Sequence, residues 1–424
     1  MFSLNKPTSV SVAPNSLDEW LTFISTQHNQ VIDMGLGRVK TVYQNLHLQF
    51  PNAQIITITG TNGKGSTARA LEQLALSLGK STGVYASPHL IDYKERVRVN
   101  GEQVIEAEHC AAFSRVNKLR ADTALTFFEF GTLAALQLIS EHAPDVVILE
   151  VGLGGATDAV NVVDAHLAII TSIGLDHQEW LGDSRESVAE HKSGICRKNG
   201  LAVIGEPTPP TNLRKILDDL SVDSRWAGDD FSISRREGVI EYQGTHSIKV
   251  DCDATYPGNI ASAITAAELL HWPLENTDWL TVFKDKGLPG RFQSIHDKPL
   301  IIVDVAHNPQ ATQLLRNRIA KLKFKQLHLV VGMLEDKDLA GTLQTFTEIP
   351  AAWYLASLHC TRGASAEVLE SALSDNRPSK RYENVESAFQ AALQAAETED
   401  CVLVFGSFAT VAEVLQVQDL LTIT

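Results

Sequence analysis

The sequence predicts an α/β protein with two domains, a larger one over residues 1–293 with a mainly parallel sheet and a smaller Rossmann-like α/β domain over residues 294–424. Short β-branched runs alternate with longer segments of helical period, which is typical of βαβ crossover units. A chain of 424 residues also exceeds the size at which one hydrophobic core stops growing. The segment from Gly287 to Arg291 has the glycine and proline density of a linker, and the βα alternation restarts after it.

The first domain carries short apolar runs that predict parallel strands. After the first run, Leu71, Leu74, Ala75 and Leu78 recur at helical spacing and Gly79 supplies a stop signal, so one helix with a buried face is expected there. The candidate strands of this domain cover residues 55–59, 83–86, 146–151, 167–172 and 201–204.

The second half of the chain has two parts. Residues 207–256 are more polar and alternate in hydrophobicity, which predicts short antiparallel hairpins, and we assign no chemistry to them. Beyond the linker, apolar runs predict the strands of the second α/β domain. These cover residues 300–305, 327–331, 352–355 and 401–405.

Composition and charge exclude several classes of protein. With 44% hydrophobic and 21% charged residues the chain is an ordinary globular protein, and a net charge of −15 disfavours a nucleic-acid partner. The first twenty residues lack an apolar signal segment, and no apolar run is long enough to span a membrane. The odd number of scattered cysteines predicts reduced core residues of a cytoplasmic protein. They are Cys110, Cys196, Cys252, Cys360 and Cys401.

A glycine-rich turn follows the first strand and opens onto the first predicted helix. Its sequence, T-G-T-N-G-K-G-S-T over residues 59–67, supplies backbone N–H groups, a helix N-terminus, Lys64 and Ser66, which together suit a nucleotide triphosphate with Mg²⁺. It is a shortened variant of the general phosphate loop, because Ile58 stands where that pattern has glycine. A glycine-rich turn without function is the alternative interpretation.

Polar side chains follow several of the other strands. Glu150 ends a fully apolar strand, so its carboxylate is expected to meet a cation, and Mg²⁺ is favoured beside a phosphate loop. Ser87, His89 and His177 are candidates for metal or phosphate contact, although a turn or a solvated histidine explains each of them alone. The glycines after Glu150 do not form a dinucleotide-binding motif, because Thr157 replaces its last glycine.

The second domain places further polar residues after its strands. Asp304 suits a ribose hydroxyl, while His307 and Arg291 suit an anionic group in a cleft between the domains. Lys192 lies in a helix-like stretch, and from its spacing alone it is equally well explained as a surface lysine.

Taken in order, these motifs resemble the folate branch of the Mur ligase family, along nearly the whole chain. The resemblance implies a Mur-type ATP-binding domain, a C-terminal α/β domain, and ATP-dependent amide ligation of glutamate to a pteroate or folate carboxylate. The matching segments are I-D-M-G-L-G-R (32–38), the phosphate loop, S-P-H-L (87–90), E-R-V-R-V (95–99), T-F-F-E (126–129), L-E-V-G-L-G-G (149–155), L-D-H (175–177), E-H-K-S-G (190–194), P-G-R (289–291), D-V-A-H-N-P (304–309) and G-S-F-A-T-V (406–411).

The resemblance also implies a role for individual residues. Catalysis is assigned to Lys64, Lys192 and His177, with Lys192 carbamylated. One Mg²⁺ is assigned to Ser87 and Glu150 and a second to His177, and K⁺ is a further expected ion. The nucleotide is assigned to Gly60, Thr61, Asn62, Gly63, Lys64, Gly65, Ser66, Asn259, Arg291 and Asp304. Substrate binding is assigned to Met34, Thr126, Phe128, Asp158 and Ala159 on the pterin side and to His307 and Ser407 on the glutamate side.

The resemblance implies dihydropteroate, tetrahydrofolates and L-glutamate as substrates, and the match of Thr126, Phe128 and Asp158 to the pterin pocket favours the bifunctional member of the family. A monomer is expected, as is usual for this family. One departure bears on the bifunctional assignment, because Ala156 and Thr157 stand where the family usually has Arg-Leu. Losing that cation leaves the orientation of the acid substrate open, and a monofunctional folylpolyglutamate synthase is the first alternative. The others are a cell-wall Mur ligase, a nucleotide-hydrolysing switch protein and a non-enzymatic folate- or nucleotide-binding module.

Overall fold

The computed structural model describes residues 14–30, 32–236, 239–250, 256–283, 287–373 and 378–417. The larger, N-terminal part is built around an eight-stranded sheet. In chain order its elements are α1 (Leu17–Ser25), α2 (Gly37–Leu46), β1 (Gln54–Thr59), α3 (Lys64–Ser77), β2 (Thr82–Tyr85), β3 (Val97–Val99), β4 (Glu102–Gln103), α4 (Glu106–Leu119), α5 (Phe127–His142), β5 (Val146–Glu150), β6 (Leu167–Ile170), α6 (Gln178–Leu181), α7 (Arg185–Ser193), β7 (Leu201–Ile204), α8 (Thr211–Asp219), β8 (Asp223–Trp226), β9 (Ser232–Arg236), β10 (Val239–Gln243), β11 (Ser247–Val250) and α9 (Pro257–Leu269).

The eight strands have the order β4-β3-β2-β5-β1-β6-β7-β8. The six strands β2, β5, β1, β6, β7 and β8 run parallel to one another. Strands β3 and β4 pair antiparallel beyond β2 and form one edge of the sheet. The carboxyl ends of the parallel strands therefore share one edge, where open α/β sheets bind ligands. At that edge Ile58 of β1 lies in register with Glu150 of β5, so the phosphate loop and the Glu150 carboxylate emerge side by side.

The prediction of hairpins over residues 207–256 was wrong in its first half. Residues Thr211–Asp219 form α8, which buries Leu213 and Leu217 one helical turn apart, and β8 then pairs parallel with β7. Only β9, β10 and β11 form the expected antiparallel hairpins, and they pack on α9. Part of the stretch, residues 237–238 and 251–255, lies outside the described residues.

The C-terminal part holds a six-stranded sheet in the order β12-β13-β17-β14-β15-β16. Its core strands are parallel, and β12 is an antiparallel edge. Both edge strands, β12 and β16, are short and polar, which is why the sequence did not predict them. The elements are β12 (Gln293–Asp297), β13 (Leu300–Asp304), α10 (Pro309–Ile319), β14 (Leu327–Val331), α11 (Leu339–Gln344), β15 (Ala351–Ala356), α12 (Ala366–Ala372), β16 (Ser379–Tyr382), α13 (Val385–Ala395), β17 (Cys401–Phe405) and α14 (Phe408–Gln416).

The cysteines are less uniformly buried than the sequence suggested. Cys196 and Cys401 are core residues, Cys110 is half-buried, and Cys360 is exposed; all four are free thiols. The prediction of a core position was therefore wrong for Cys360, which lies in a loop, and Cys252 lies outside the described residues. None of the helices in the described ranges has the length and apolarity to cross a bilayer.

His109 is buried on α4 among aromatic rings and gives the fold a pH dependence. It is 1% exposed, its ring lies 5.6 Å from Tyr93, and its Nε2 has no hydrogen-bond partner. Burial lowers the pKa of His109 to about 4, whereas an exposed histidine titrates near pH 6.5. Between these pH values the unfolded chain binds more protons than the folded chain, so acidification destabilises the fold.

We expect the His109 contribution to the free energy of unfolding to fall by on the order of 3 kcal/mol as the pH drops from about 6.5 to 4. A His109→Phe variant keeps a ring at this position but does not titrate. Denaturant unfolding of both proteins at several pH values tests this, since the variant should lose less stability on acidification. Parallel curves for the two proteins would contradict it.

Candidate active site

The phosphate loop lies between β1 and α3, as the sequence predicted. Lys64 is the first residue of α3, and its Nζ donates to the carbonyl oxygen of Gly60 at 3.0 Å. Gly63 has φ +87°, and a side chain there would also meet Asn259, whose Oδ1 lies 2.5 Å from the Cβ position. The loop backbone therefore requires glycine, and the helix N-terminus it opens is suited to bind phosphate.

Glu150 lies beside the start of this helix. It is 5% exposed, and its Oε2 accepts the Ser87 backbone N–H at 3.2 Å, so the two residues predicted to share a metal ion are adjacent. A Cβ on Gly65 would lie 3.4 Å from the same oxygen. Burial raises the pKa of Glu150, and the charge of Lys64 acts against this shift. The carboxylate thus faces a cationic, phosphate-binding loop.

Two of the residues predicted for the pterin side are helix N-caps, Thr126 of α5 and Asp158 of a 3₁₀ turn, Ala159–Val162. The Thr126 hydroxyl caps α5 by accepting the Glu129 N–H, and the Asp158 carboxylate accepts the N–H groups of Leu153 and Val160. Burial raises the pKa of Asp158 to about 6, and these hydrogen bonds act against the shift. Thr126 and Asp158 therefore have structural roles in addition to any substrate contact.

An aromatic ring closes this side of the site. The Phe128 ring occupies the place of a side chain at Gly152, since a Cβ there would lie 2.5 Å from Phe128 Cζ. Met34 lies nearby, with its Sδ 4.0 Å from Thr157 Oγ1, and Ala159 is buried. Ala156, the other residue that departs from the family pattern, donates its N–H to the His191 carbonyl oxygen at 2.8 Å.

Lys192 is a buried lysine rather than a surface one. It is 3% exposed near the end of α7. Burial, and then the nearby charge of Lys64, lower the pKa of Lys192 to about 7. A substantial fraction of the amine is therefore neutral and nucleophilic near pH 7.

His177 lies beside a lysine of the C-terminal part. Its Nε2 is 3.1 Å from Lys337 Nζ, and burial is the main cause that lowers the pKa of His177 to about 4. The preceding residue, Asp176, accepts a hydrogen bond from Lys337 Nζ at 2.8 Å. Although burial opposes ionisation of Asp176, its contacts with His307 and Lys337 hold the pKa of this carboxyl well below its usual range.

Asp176 belongs to a group of polar contacts between the two parts of the chain, which we call the interdomain clasp: Asn62, Asp176, His307, Asn308, Gln310 and Lys337. Asn308 Nδ2 donates to Asn62 Oδ1 at 3.0 Å, and Asn62 Nδ2 donates to Gln310 Oε1 at 2.8 Å. His307 Nε2 lies 3.5 Å from Asp176. The phosphate loop is thus tied directly to the C-terminal part.

We expect an Asp176→Asn variant to loosen the clasp. Lys337 and Asp176 are 6% and 9% exposed in their side chains, and removing one partner of a buried ion pair typically costs about 3–5 kcal/mol. Small-angle X-ray scattering should show a larger radius of gyration for this variant. The exposed Asp183→Asn change is a matched control, and equal radii for all three proteins would argue against the clasp.

The remaining predicted residues lie on the C-terminal side. Asp304 is 3% exposed and accepts the N–H groups of Phe292 and Ala306, each at 2.8 Å. The guanidinium of Arg291 lies 4.8 Å from the ring centre of Phe408, at the start of α14. Ser407 caps that helix, as its hydroxyl accepts the Thr410 N–H at 3.0 Å.

All the residues predicted for the site except His89 line a single cavity of about 2340 Å³ between the two parts of the chain. His89 is not among the lining residues; its Nδ1 instead accepts a hydrogen bond from Arg96. The sequence did not identify Asp176, Asn308 or Lys337 as site residues, although Asp176 lies inside the L-D-H motif and Asn308 inside the D-V-A-H-N-P motif. In the described ranges no three His, Cys, Asp or Glu side chains are grouped closely enough to hold a metal ion by themselves.

Known proteins resemble this chain over nearly its full length. The Mur ligase middle domain family matches residues 58–223, and the family described as Mur ligase, glutamate ligase domain matches residues 290–408. The dihydrofolate synthase/folylpolyglutamate synthase of Escherichia coli is 40% identical over 410 residues, 96% of each chain.

Solved structures agree with this similarity. The E. coli FolC structure in complex with DHPP and ADP has a TM-score of 0.91 at 40% identity, covering 97% of this chain and 99% of that one. A bifunctional folylpolyglutamate synthase/dihydrofolate synthase with Mn, AMPPNP and L-glutamate bound has a TM-score of 0.87 at 40% identity, covering 95% and 98%.

Proposed function

The chain belongs to the dihydrofolate synthase/folylpolyglutamate synthase family, with Mur ligase middle and C-terminal domains, and from this premise we propose how its residues carry out the reaction. The predicted fold class is confirmed. The protein is an ATP-dependent ligase that joins L-glutamate to dihydropteroate and to folates. The observation that carries the mechanism is that the Lys64 loop and the C-terminal residues open into one cavity.

Amide formation from a carboxylate needs activation, because the carboxylate oxygen is a poor leaving group. The acid attacks the γ-phosphorus of ATP, ADP leaves, and an acyl phosphate forms. In this step Lys64 and the N–H groups at the start of α3 stabilise the charge on the transferred phosphoryl group. Arg291, Asn259 and Asp304, which line the same cavity, are proposed to hold the rest of the nucleotide.

The neutral amine of glutamate then attacks the acyl carbon, loses a proton, and expels phosphate. Water would hydrolyse the same intermediate, so the cavity must be closed during this step. The interdomain clasp supports that role, because it joins the phosphate loop to the C-terminal part through Asn62 and Asn308. His307 and Ser407 lie on the side from which glutamate is proposed to enter.

The donor groups around Glu150 fit Mg²⁺. Hard oxygen ligands, namely a buried carboxylate and a serine hydroxyl beside a phosphate loop, are what Mg²⁺ takes, with water and nucleotide phosphate completing its shell. Glu150 and Ser87 would hold one ion and His177 a second, and the ions supply charge neutralisation for phosphoryl transfer. ATP and a divalent ion are supported by the ligands of the relatives, while K⁺ stays a prediction.

Lys192 is proposed to be carbamylated, which turns a cation into a carboxylate near the metal site. Its burial and its pKa of about 7 support this, since only the neutral amine reacts with CO₂. Carbon-13 NMR of the protein in ¹³C-bicarbonate tests the proposal. A carbamate signal absent from a Lys192→Ala variant is expected, and no signal in either protein would contradict it.

The decisive experiment is ADP release with mass analysis of the products, using ATP, Mg²⁺ and glutamate with either dihydropteroate or tetrahydrofolate. Turnover with both acceptors is expected. Turnover with the folate alone would make the enzyme monofunctional and would indicate that Ala156 and Thr157 prevent the use of dihydropteroate. Turnover with neither acceptor would contradict the ligase function. A cell-wall Mur ligase would require a nucleotide-sugar acceptor.

The domain division at residues 293 and 294, the monomeric state and the cytoplasmic location also stay predictions. The linker segment and the two separate large sheets support the division. Light scattering coupled to size-exclusion chromatography tests the monomer.

A further inference from the structure

Arg96 is a buried arginine on the wall of the cavity, and none of the roles described above uses it. It ends a short 3₁₀ turn, Tyr93–Arg96, just before β3, and is 8% exposed. Its guanidinium carbon lies 5.2 Å from the ring centre of Tyr93 and 5.7 Å from that of Phe127. The two rings hold the guanidinium in place but do not neutralise its charge.

The side chains that hydrogen-bond to Arg96, those of His89 and Tyr85, are also uncharged. Arg96 Nε donates to Nδ1 of His89 at 2.8 Å, so that ring nitrogen carries no hydrogen. Burial, and then the Arg96 charge, lower the pKa of His89 to about 4, so the imidazole is neutral near pH 7. No carboxylate oxygen among the described residues lies within 4.0 Å of the Arg96 guanidinium nitrogens.

Other arginines nearby are paired. Arg98 lies two residues further on, also lines the cavity, and donates through Nε and Nη2 to the buried carboxylate of Glu72. Arg38 contacts both Glu129 and Asp33. A buried charge without a counter-charge is costly, so a ligand anion at Arg96 would remove that cost.

The position of Arg96 indicates which anion it meets. Phe127 is next to Phe128, whose ring centre lies 6.3 Å from that of Tyr85. Burial raises the pKa of Tyr85 and of Tyr93, and the positive charge of Arg96 acts against both shifts. The cations that act most strongly on Glu150 are instead Lys64, Arg291 and Arg98. The Arg96 guanidinium thus lies against the aromatic rings of the cavity wall, whereas Lys64 and Arg291 are the cations nearest in effect to the Glu150 carboxylate.

We propose that Arg96 binds the non-reacting carboxylate on the terminal glutamyl group of a folate acceptor, and thereby favours folates over dihydropteroate. The inference rests on the ligase function proposed above. The terminal glutamyl group of a folate has two carboxylates, of which one is activated and the other needs a cation. Dihydropteroate has a single carboxylate, which goes to the phosphoryl-transfer centre and leaves Arg96 without an anion.

The test compares R96Q, which removes the charge, and R96K, which keeps the charge but loses the planar fork. For wild type and both variants, kcat/KM is measured with tetrahydrofolate and with dihydropteroate. The kcat/KM for tetrahydrofolate divided by that for dihydropteroate should fall on the order of 10- to 100-fold in R96Q, and less in R96K. K94Q removes a neighbouring cation that pairs with Asp92 and is the matched control.

A second arm changes the substrate instead of the protein. When the non-reacting carboxylate of the folate is replaced by an amide, the kcat/KM of wild type should fall by the same factor as in R96Q. The kcat/KM of R96Q should be the same for the folate and for its amide. An unchanged ratio in R96Q, or a full penalty from the amide in R96Q, would overturn the proposal. If R96Q does not fold, the experiment with wild type alone still tests the proposal. Equal kcat/KM values of wild type for the amide and for the folate would overturn it.

The two failures are distinguishable. If wild type ligates neither acceptor, the ligase function itself fails. In that case equilibrium binding of tetrahydrofolate to wild type and to R96Q still tests Arg96, and equal affinities would overturn its assignment.

Discussion

A Lys64→Ala variant is expected to lose ligation by about 10²–10³-fold or more, the effect typical of removing one group that stabilises transition-state charge. Lys64 is the one loop side chain that brings a full positive charge to the phosphates, and α3 presents it at the start of the helix. ADP release in the presence of both acceptors measures the effect. The exposed Lys40→Ala variant, on α2, is the control for loss of a lysine.

The fold of the Lys64→Ala variant should stay intact. In the described ranges Lys64 donates only to the carbonyl oxygens of Gly60 and Thr61 and makes no ion pair within 4.0 Å. Circular dichroism and thermal unfolding should therefore match wild type. Near-normal ADP release by a folded Lys64→Ala protein would remove the phosphate-loop assignment.

A Glu150→Gln variant should show the second largest loss of activity, again on the order of 10²-fold or more. The amide keeps the size of the side chain but loses the charge that a hard cation needs. Titration of ligation with Mg²⁺ should show a higher half-saturating concentration as well as a lower maximum. A Mg²⁺ curve identical to that of wild type would contradict the metal assignment.

The same substitution should leave the protein no less stable. Burial raises the folded-state pKa of Glu150, so the folded chain holds its proton more tightly than the unfolded chain. Stability linked to this group is therefore lost as the pH rises above the unfolded pKa near 4.3. Glutamine does not titrate, so at pH 7 the variant is expected to unfold at an equal or higher temperature, the reverse of its effect on activity.

Much of the fold could be predicted from the sequence because its information is local. The phosphate loop is a contiguous strand, glycine turn and helix. Strands β5, β6 and β7 consist almost entirely of apolar residues and β1 is rich in isoleucine, so their burial can be predicted from their own sequences. The edge strand β12 and the helix α8 could not be predicted so easily. Both carry many polar residues, because β12 lies at the edge of its sheet and pairs only with β13, and α8 buries only Leu213 and Leu217.

The site divides in the same way. Glu150 and Lys64 follow from neighbouring motifs, but the contact between Asp176 and Lys337 joins residues 161 positions apart. No periodicity reports such a pair, because it depends on how one sheet is placed on the other. The cap roles of Thr126 and Ser407 were missed for a related reason, since a hydroxyl at a helix start serves folding and binding alike.

Gly152 and Phe128 form a pair that must change together. The ring fills the space that any side chain at Gly152 would need. A larger residue there would push the ring into the cavity and narrow its aromatic end, while a smaller residue in place of Phe128 would open a void over the strand end. The sizes of the residues at positions 152 and 128 are therefore expected to be coupled, so that a larger residue at one is best accommodated with a smaller residue at the other.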